Sequence, residues 1–131
     1  MLHVTEFKMQ EKIILKISAG AIEELLSESA EKESIILNEL LANKKMIEDM
    51  LQSYYFKSRG RIYDVKIEKP TLTEGFNGSF KANYSIGHFN ACADVDSHEE
   101  EKMLINLSID TKRAEGVLTG EYFPEREPDE F

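Results

Sequence analysis

Alternating apolar and polar positions mark the second half of the chain. The apolar members of the first alternation, on either side of Gly87-His88, are Phe80, Ala82, Tyr84, Ile86, Phe89, Ala91, Ala93 and Val95. A period of two is typical of strands with one buried face. Glycine supplies the positive φ of a tight turn, so we predict a hairpin at Gly87-His88 that places Ile86 opposite Phe89.

Two further connections extend the same buried face. Asn77-Gly78 is a tight-turn sequence that would join a strand over residues 61–72 to the strand of Phe80. The polar run 97–101 would join Val95 to a strand whose apolar positions are Met103, Ile105, Leu107 and Ile109. The pattern predicts an antiparallel meander over residues 61–123, in which either Val117 or Leu118 of the last strand faces the core.

The first half of the chain predicts a strand over residues 7–17 and helical structure over residues 21–57, which contain neither proline nor glycine. One helical face would carry Ile36, Leu40, Ile47, Leu51 and Tyr54. A polar stretch over residues 27–34 leaves open one long helix or two. We favour two, with Ser29 or Ser34 as the N-cap of the second.

The predicted fold class is α+β, with a long helix or two helices packed across a curved antiparallel meander. This layout resembles cystatin-like folds in outline, and hot-dog and NTF2-like folds less closely, although the cystatin motif Gln-x-Val-x-Gly is missing. We expect one domain over residues 1–123. Residues 124–131 are charged and proline-rich, and are expected to form a mobile acidic tail.

Charge restricts the possible partners. The net charge is −9, and residues 61–131 carry 15 acidic against 8 basic side chains. Such a field repels phosphate backbones and attracts basic proteins, so we expect a protein partner with a basic surface and no nucleic acid. No apolar run approaches the ~18 residues of a membrane span. With a single cysteine and no secretory signal, the chain is expected to be cytoplasmic.

Candidate chemistry concentrates around Asp94, Asp96 and His98, which alternate along an extended chain. The spacing opens like a calcium-binding EF-hand loop but lacks its central glycine and its closing glutamate. Neither a catalytic motif nor a cofactor motif is found, so we expect no metal, no cofactor and no enzymatic activity. The alternative is a small-ligand-binding or enzymatic domain of hot-dog or NTF2-like type, with a pocket between helix and sheet above Ala82.

The sheet face opposite Ala82 suggests a partner surface of small amide and hydroxyl groups that is poor in lysine and glutamate. Together with the acidic run beside it, the candidate partner-binding residues are Asn83, Ser85, Asn90, Cys92, Asp94, Asp96, Glu99, Glu100, Glu101, Leu104, Asn106 and Ser108. We interpret the chain as a non-enzymatic acidic protein-binding domain of inhibitor, immunity or adaptor type that docks on a basic partner. The same face offers a route to homo-oligomers.

Overall fold

Three helices and a curled antiparallel sheet make up the computed structural model, which describes residues 8–27, 31–56, 60–90 and 95–124. The helices are α1 (Ala19–Leu26), α2 (Lys32–Ala42) and α3 (Lys44–Tyr54). The strands are β1 (Lys8–Met9), β2 (Lys12–Lys16), β3 (Arg61–Ile67), β4 (Thr71–Leu72), β5 (Asn77–Asn90), β6 (Val95–Asp110), β7 (Glu115–Thr119) and β8 (Phe123–Pro124). The main sheet has the order β2-β7-β6-β5-β3, β4 also pairs with β5, and β1 pairs with β8 apart from it.

The described part of the helical region contains three helices, so the prediction of one or two is wrong. Ser18 caps α1, since its hydroxyl accepts the Ala21 N–H at 3.2 Å. The chain breaks again at Asn43, whose side-chain amide donates to the Glu39 carbonyl at 2.9 Å and so competes with the helix backbone. Ser34 lies inside α2 rather than at its N-cap. The other predicted cap, Ser29, lies outside the described residues.

The apolar faces of helix and sheet meet in one core, as the two periodicities predict. Each member of the predicted helical stripe is buried: Ile36, Leu40, Ile47, Leu51 and Tyr54. They share a cluster with the inner side chains of β5 and β6, namely Phe80, Ala82, Tyr84, Ile86, Met103, Ile105, Leu107 and Ile109. Leu118 is fully buried and Val117 only partly, which decides the facing of the last strand.

The predicted strand register is wrong, although the apolar side chains from Phe80 to Ile86 and from Met103 to Ile109 are buried as predicted. Strand β5 continues through Gly87-His88 to Asn90, and the connection to β6 falls on residues 91–94, outside the described residues. Ile86 therefore pairs with Glu99 rather than with Phe89. Residues 97–101 belong to β6 instead of forming a connection. Because β5 does not turn at Gly87-His88, position 89 falls on the side of the strand opposite to Ile86 and not on the predicted face. Ala91 and Ala93, which were also assigned to that face, lie outside the described residues.

The second predicted turn is also displaced. Asn77 and Gly78 lie within β5, and the turn precedes them, where the Thr73 N–H donates to the Asn77 carbonyl at 2.8 Å. Gly75 has a φ of 61° there, which favours glycine. At the far end of the chain, Pro124 belongs to β8, and residues 125–131 of the predicted tail lie outside the described residues.

Tyr54 lies at the point where β7 parts from β6. Its hydroxyl accepts the Glu11 N–H at 2.9 Å and donates to the Glu121 carbonyl at 2.7 Å. A Cβ on Gly120 would overlap this hydroxyl, so the close approach requires glycine. Strand β7 ends at Thr119, whereas β6 continues far beyond it towards Val95. Within the described residues, the stretch of β6 from Val95 to Ile105 is therefore paired with a strand on one side only, namely with β5.

Candidate functional site

The outer face of the main sheet, opposite the helices, carries half of the twelve predicted partner-binding residues. Six of them share it by alternation along β5 and β6: Asn83, Ser85, Glu100, Leu104, Asn106 and Ser108. Asn90 and Asp96 occupy strand positions whose side chains are not described, and Cys92 and Asp94 lie outside the described residues. Leu104 is 44% exposed, and the Ser108 hydroxyl donates to the Asn77 side chain at 2.8 Å.

This outer face is not poor in lysine and glutamate, and that part of the prediction is wrong. Alternation gives Lys81 and Lys102 the same side as Asn83, and Ser85 is paired directly with Glu100. On β3, Lys66 pairs with Asn83 and so joins them. Charged side chains thus interleave with the small polar ones, and the amide and hydroxyl groups do not form a continuous surface.

A hollow of about 510 Å³ interrupts the outer face where β3 bulges between Tyr63 and Lys66. It is lined by Asp64, Lys66, Asn83, Tyr84, Ser85, Glu100, Glu101 and Lys102. Asp64 adopts a φ of 54°, which accommodates the extra residue of the bulge. The Asn83 amide donates to the Glu68 carboxylate at 2.7 Å. The hollow is polar and of mixed charge, with no preference for one sign of ligand.

Tyr63 and His98 form a pair beside this hollow that sequence reasoning missed. The Tyr63 hydroxyl lies 2.8 Å from His98 Nδ1, and the rings meet edge to face at 5.9 Å. Both side chains are exposed. The two residues lie 35 positions apart and meet only because β3 and β6 flank Gly87 of β5. A local sequence motif could not have revealed the contact.

Four glutamates lie where β6 extends beyond the end of β7. We call them the acidic edge: Glu99, Glu100, Glu101 and Glu121. The three consecutive glutamates are exposed strand residues, which corrects their expected place in a connecting loop. Alternation puts Glu100 on the outer face, and puts Glu99 and Glu101 on the inner side beside Ile86 and Tyr84. The Glu121 carboxylate accepts the Leu104 N–H at 2.7 Å and so occupies the position that a continued β7 would fill.

Two tyrosines beside the acidic edge are held neutral. The hydroxyls of Tyr55 and Tyr84 lie 2.6 Å apart, and their rings meet edge to face. Burial raises the pKa of both hydroxyls, and the negative charges of Glu101 and Glu121 raise it further. The two hydroxyls therefore remain protonated and bonded to each other at the border of the core, beside the acidic edge.

Neither the described clusters of side chains nor the comparisons with known proteins identify this chain. Across the described ranges, no group of three His, Cys, Asp or Glu side chains is placed to hold a metal ion. None of the helices described is both long and apolar enough to cross a membrane. Protein-family models, curated proteins and solved structures all gave no match to this chain.

Proposed function

We propose that this chain is a non-enzymatic protein-binding domain of inhibitor, immunity or adaptor type that docks on a basic partner through the acidic edge. The observation that carries the proposal is the exposure of Glu99, Glu100 and Glu101 on a stretch of β6 that extends beyond β7. Exposed carboxylates on a projecting strand can meet a partner without rearrangement of the core. They act over about 10 Å at 0.1 M salt, which guides encounter.

The rest of the chain supports the same sign of partner. The net charge of −9 gives a long-range attraction for basic surfaces. Within the described residues, the one ion pair closer than 4.0 Å joins Lys45 to Asp49, at 2.8 Å on α3, so no described lysine or arginine forms an ion pair with the acidic edge. The carboxylates of Glu99, Glu100 and Glu101 are thus available for a cationic partner, whereas that of Glu121 is bonded to the Leu104 N–H.

The alternative of a small-ligand or enzymatic domain has less support. It needs space between helix and sheet above Ala82, but Ala82 is completely buried in the cluster that also contains Ile47 and Leu51. The hollow lies on the other face of the sheet. The proposal includes a cystatin-like outline of the fold. It also includes a cytoplasmic location, which the single cysteine supports.

The experiment compares three proteins in capture from the native cell. One carries Glu99→Gln, Glu100→Gln and Glu101→Gln. A control carries the same charge change at Glu23, Glu24 and Glu74, which are exposed and lie away from the acidic edge. We expect a specific partner with a basic surface, retained by the wild type and the control at 0.1 M salt and lost by the first variant. Equal retention by all three proteins would contradict the proposal.

A further inference from the structure

The backbone of β6 between His98 and Lys102 presents hydrogen-bonding groups along an open edge of the sheet. Two contacts fix their direction: the Ile109 N–H donates to the Phe76 carbonyl on the β5 side, and the Leu104 N–H reaches the Glu121 carboxylate on the β7 side. Backbone groups of successive residues in an antiparallel strand point to opposite sides, so residues two positions apart point to the same side. The N–H and C=O groups of His98, Glu100 and Lys102 therefore point away from β5, as those of Leu104 do.

These three residues define the free edge of β6. Strand β7 pairs only with Asn106–Asp110, and no described backbone group bonds to the free edge. Unpaired edges accept an added strand when an extended segment arrives, and the backbone hydrogen bonds then provide affinity. The strand already lies extended and is held by β5 along its whole length, so little ordering is required of it.

We propose that the free edge of β6 binds an extended basic segment of the partner protein as an added antiparallel strand. This rests on the proposed function and specifies its mode. Residues of the added strand that lie opposite Glu99 and Glu101 would face the inner side, so lysine or arginine at every second position meets both carboxylates. The intervening residues lie opposite Glu100 and its neighbours on the outer face, and their N–H groups point at β6.

Charge argues against a second copy of this chain as the occupant. Two copies paired edge to edge would bring Glu99, Glu100 and Glu101 of one chain beside those of the other. Like charges on neighbouring strands are destabilising, and charged side chains are a common means of preventing self-pairing at open edges. The acidic edge would thus disfavour pairing with a second copy of this chain and favour pairing with a basic strand.

The test uses a short peptide in which lysine alternates with threonine, measured by calorimetry at low salt. Two further peptides are N-methylated, one on every threonine and one on every lysine, with charge unchanged. Strand addition requires the threonine N–H groups, because the lysines face Glu99 and Glu101. We expect threonine methylation to weaken binding by roughly tenfold or more, and lysine methylation to change it little.

Two protein variants supply the matching controls. In Glu100→Pro the lost N–H points to the free edge, so the β5 ladder is kept. In Glu100→Gln the charge is lost and the N–H remains. We expect Glu100→Pro to weaken binding more than Glu100→Gln does. If circular dichroism shows Glu100→Pro to be unfolded, the methylated peptides decide on the wild-type protein.

The failures are distinguishable. Equal binding of both methylated peptides would overturn strand addition and leave a basic partner in place. Absence of binding by every peptide would overturn both the strand addition and the attraction for basic segments. Concentration-dependent dimerisation that protects the amides of Glu100 and Lys102 from hydrogen exchange would assign the edge to a second copy and overturn the proposal.

Discussion

Replacing Tyr54 by phenylalanine removes the hydroxyl that lies where β7 parts from β6. That hydroxyl bonds the Glu11 N–H at 2.9 Å and the Glu121 carbonyl at 2.7 Å, and both bonds are lost together. Each intramolecular hydrogen bond contributes about 0.5–1.5 kcal/mol net, so we expect Tyr54→Phe to lower the free energy of unfolding by about 1–3 kcal/mol. The ring itself stays buried and keeps its packing.

Gly120→Ala attacks the same contact from the opposite side. The added methyl group would overlap the Tyr54 hydroxyl and would lie 3.2 Å from Met103 Sδ. Overpacking of this kind costs about 1–3 kcal/mol, and displacement of the hydroxyl would break the two hydrogen bonds that Tyr54→Phe also removes. The double variant therefore counts that loss only once, and we expect the two changes to be non-additive by about 1–2 kcal/mol.

The assay is urea denaturation of the wild type, the two single variants and the double variant. Tyr63→Phe combined with Gly120→Ala is the control, because Tyr63 is exposed on the outer face and its hydroxyl bonds His98 instead. That control pair should be additive within about 0.5 kcal/mol. If Tyr54→Phe and Gly120→Ala were equally additive, the hydroxyl would not be the group that a side chain at position 120 displaces.

Three further predictions concern the core, the charge and the tyrosines. Ala82→Glu should prevent folding, because an unpaired buried carboxylate costs several kcal/mol, whereas Asn83→Glu on the outer face should be tolerated; equal circular dichroism melting curves would contradict the assigned faces. With an isolated partner, the Glu99–Glu101 triple neutralisation should lower the on-rate more than it raises the off-rate in stopped-flow measurements, and an on-rate insensitive to salt would count against steering. The raised pKa of Tyr84 means that the folded state retains a proton that the unfolded state loses, so the free energy of unfolding should fall as the pH rises above about 10, and Tyr84→Phe should weaken that fall in pH-dependent urea titrations.

The sequence alone determined which side chains are buried in the helices, in β5 up to Ile86 and in β6 from Met103. A period of two along β5 and β6, and a helical stripe from Ile36 to Tyr54, identify inner positions because the geometry of each element repeats with a fixed period. This information is local and survives an error in register. Met103 and Ile105 are inside as predicted, although they pair with Ala82 and Phe80 rather than with the separate strand expected over residues 89–95.

Tertiary structure decided where the strands end, which strands pair and which edge of the sheet stays open. Gly87-His88 has the composition of a turn, yet the β5–β6 pairing continues through it. Strand β7 stops at Thr119, and next to its end the Tyr54 hydroxyl occupies the space that a side chain on Gly120 would need. The open edge of β6 begins beside that contact. Periodicity cannot encode it, since it is a close approach between residues remote in sequence, and only packing of the whole chain brings them together.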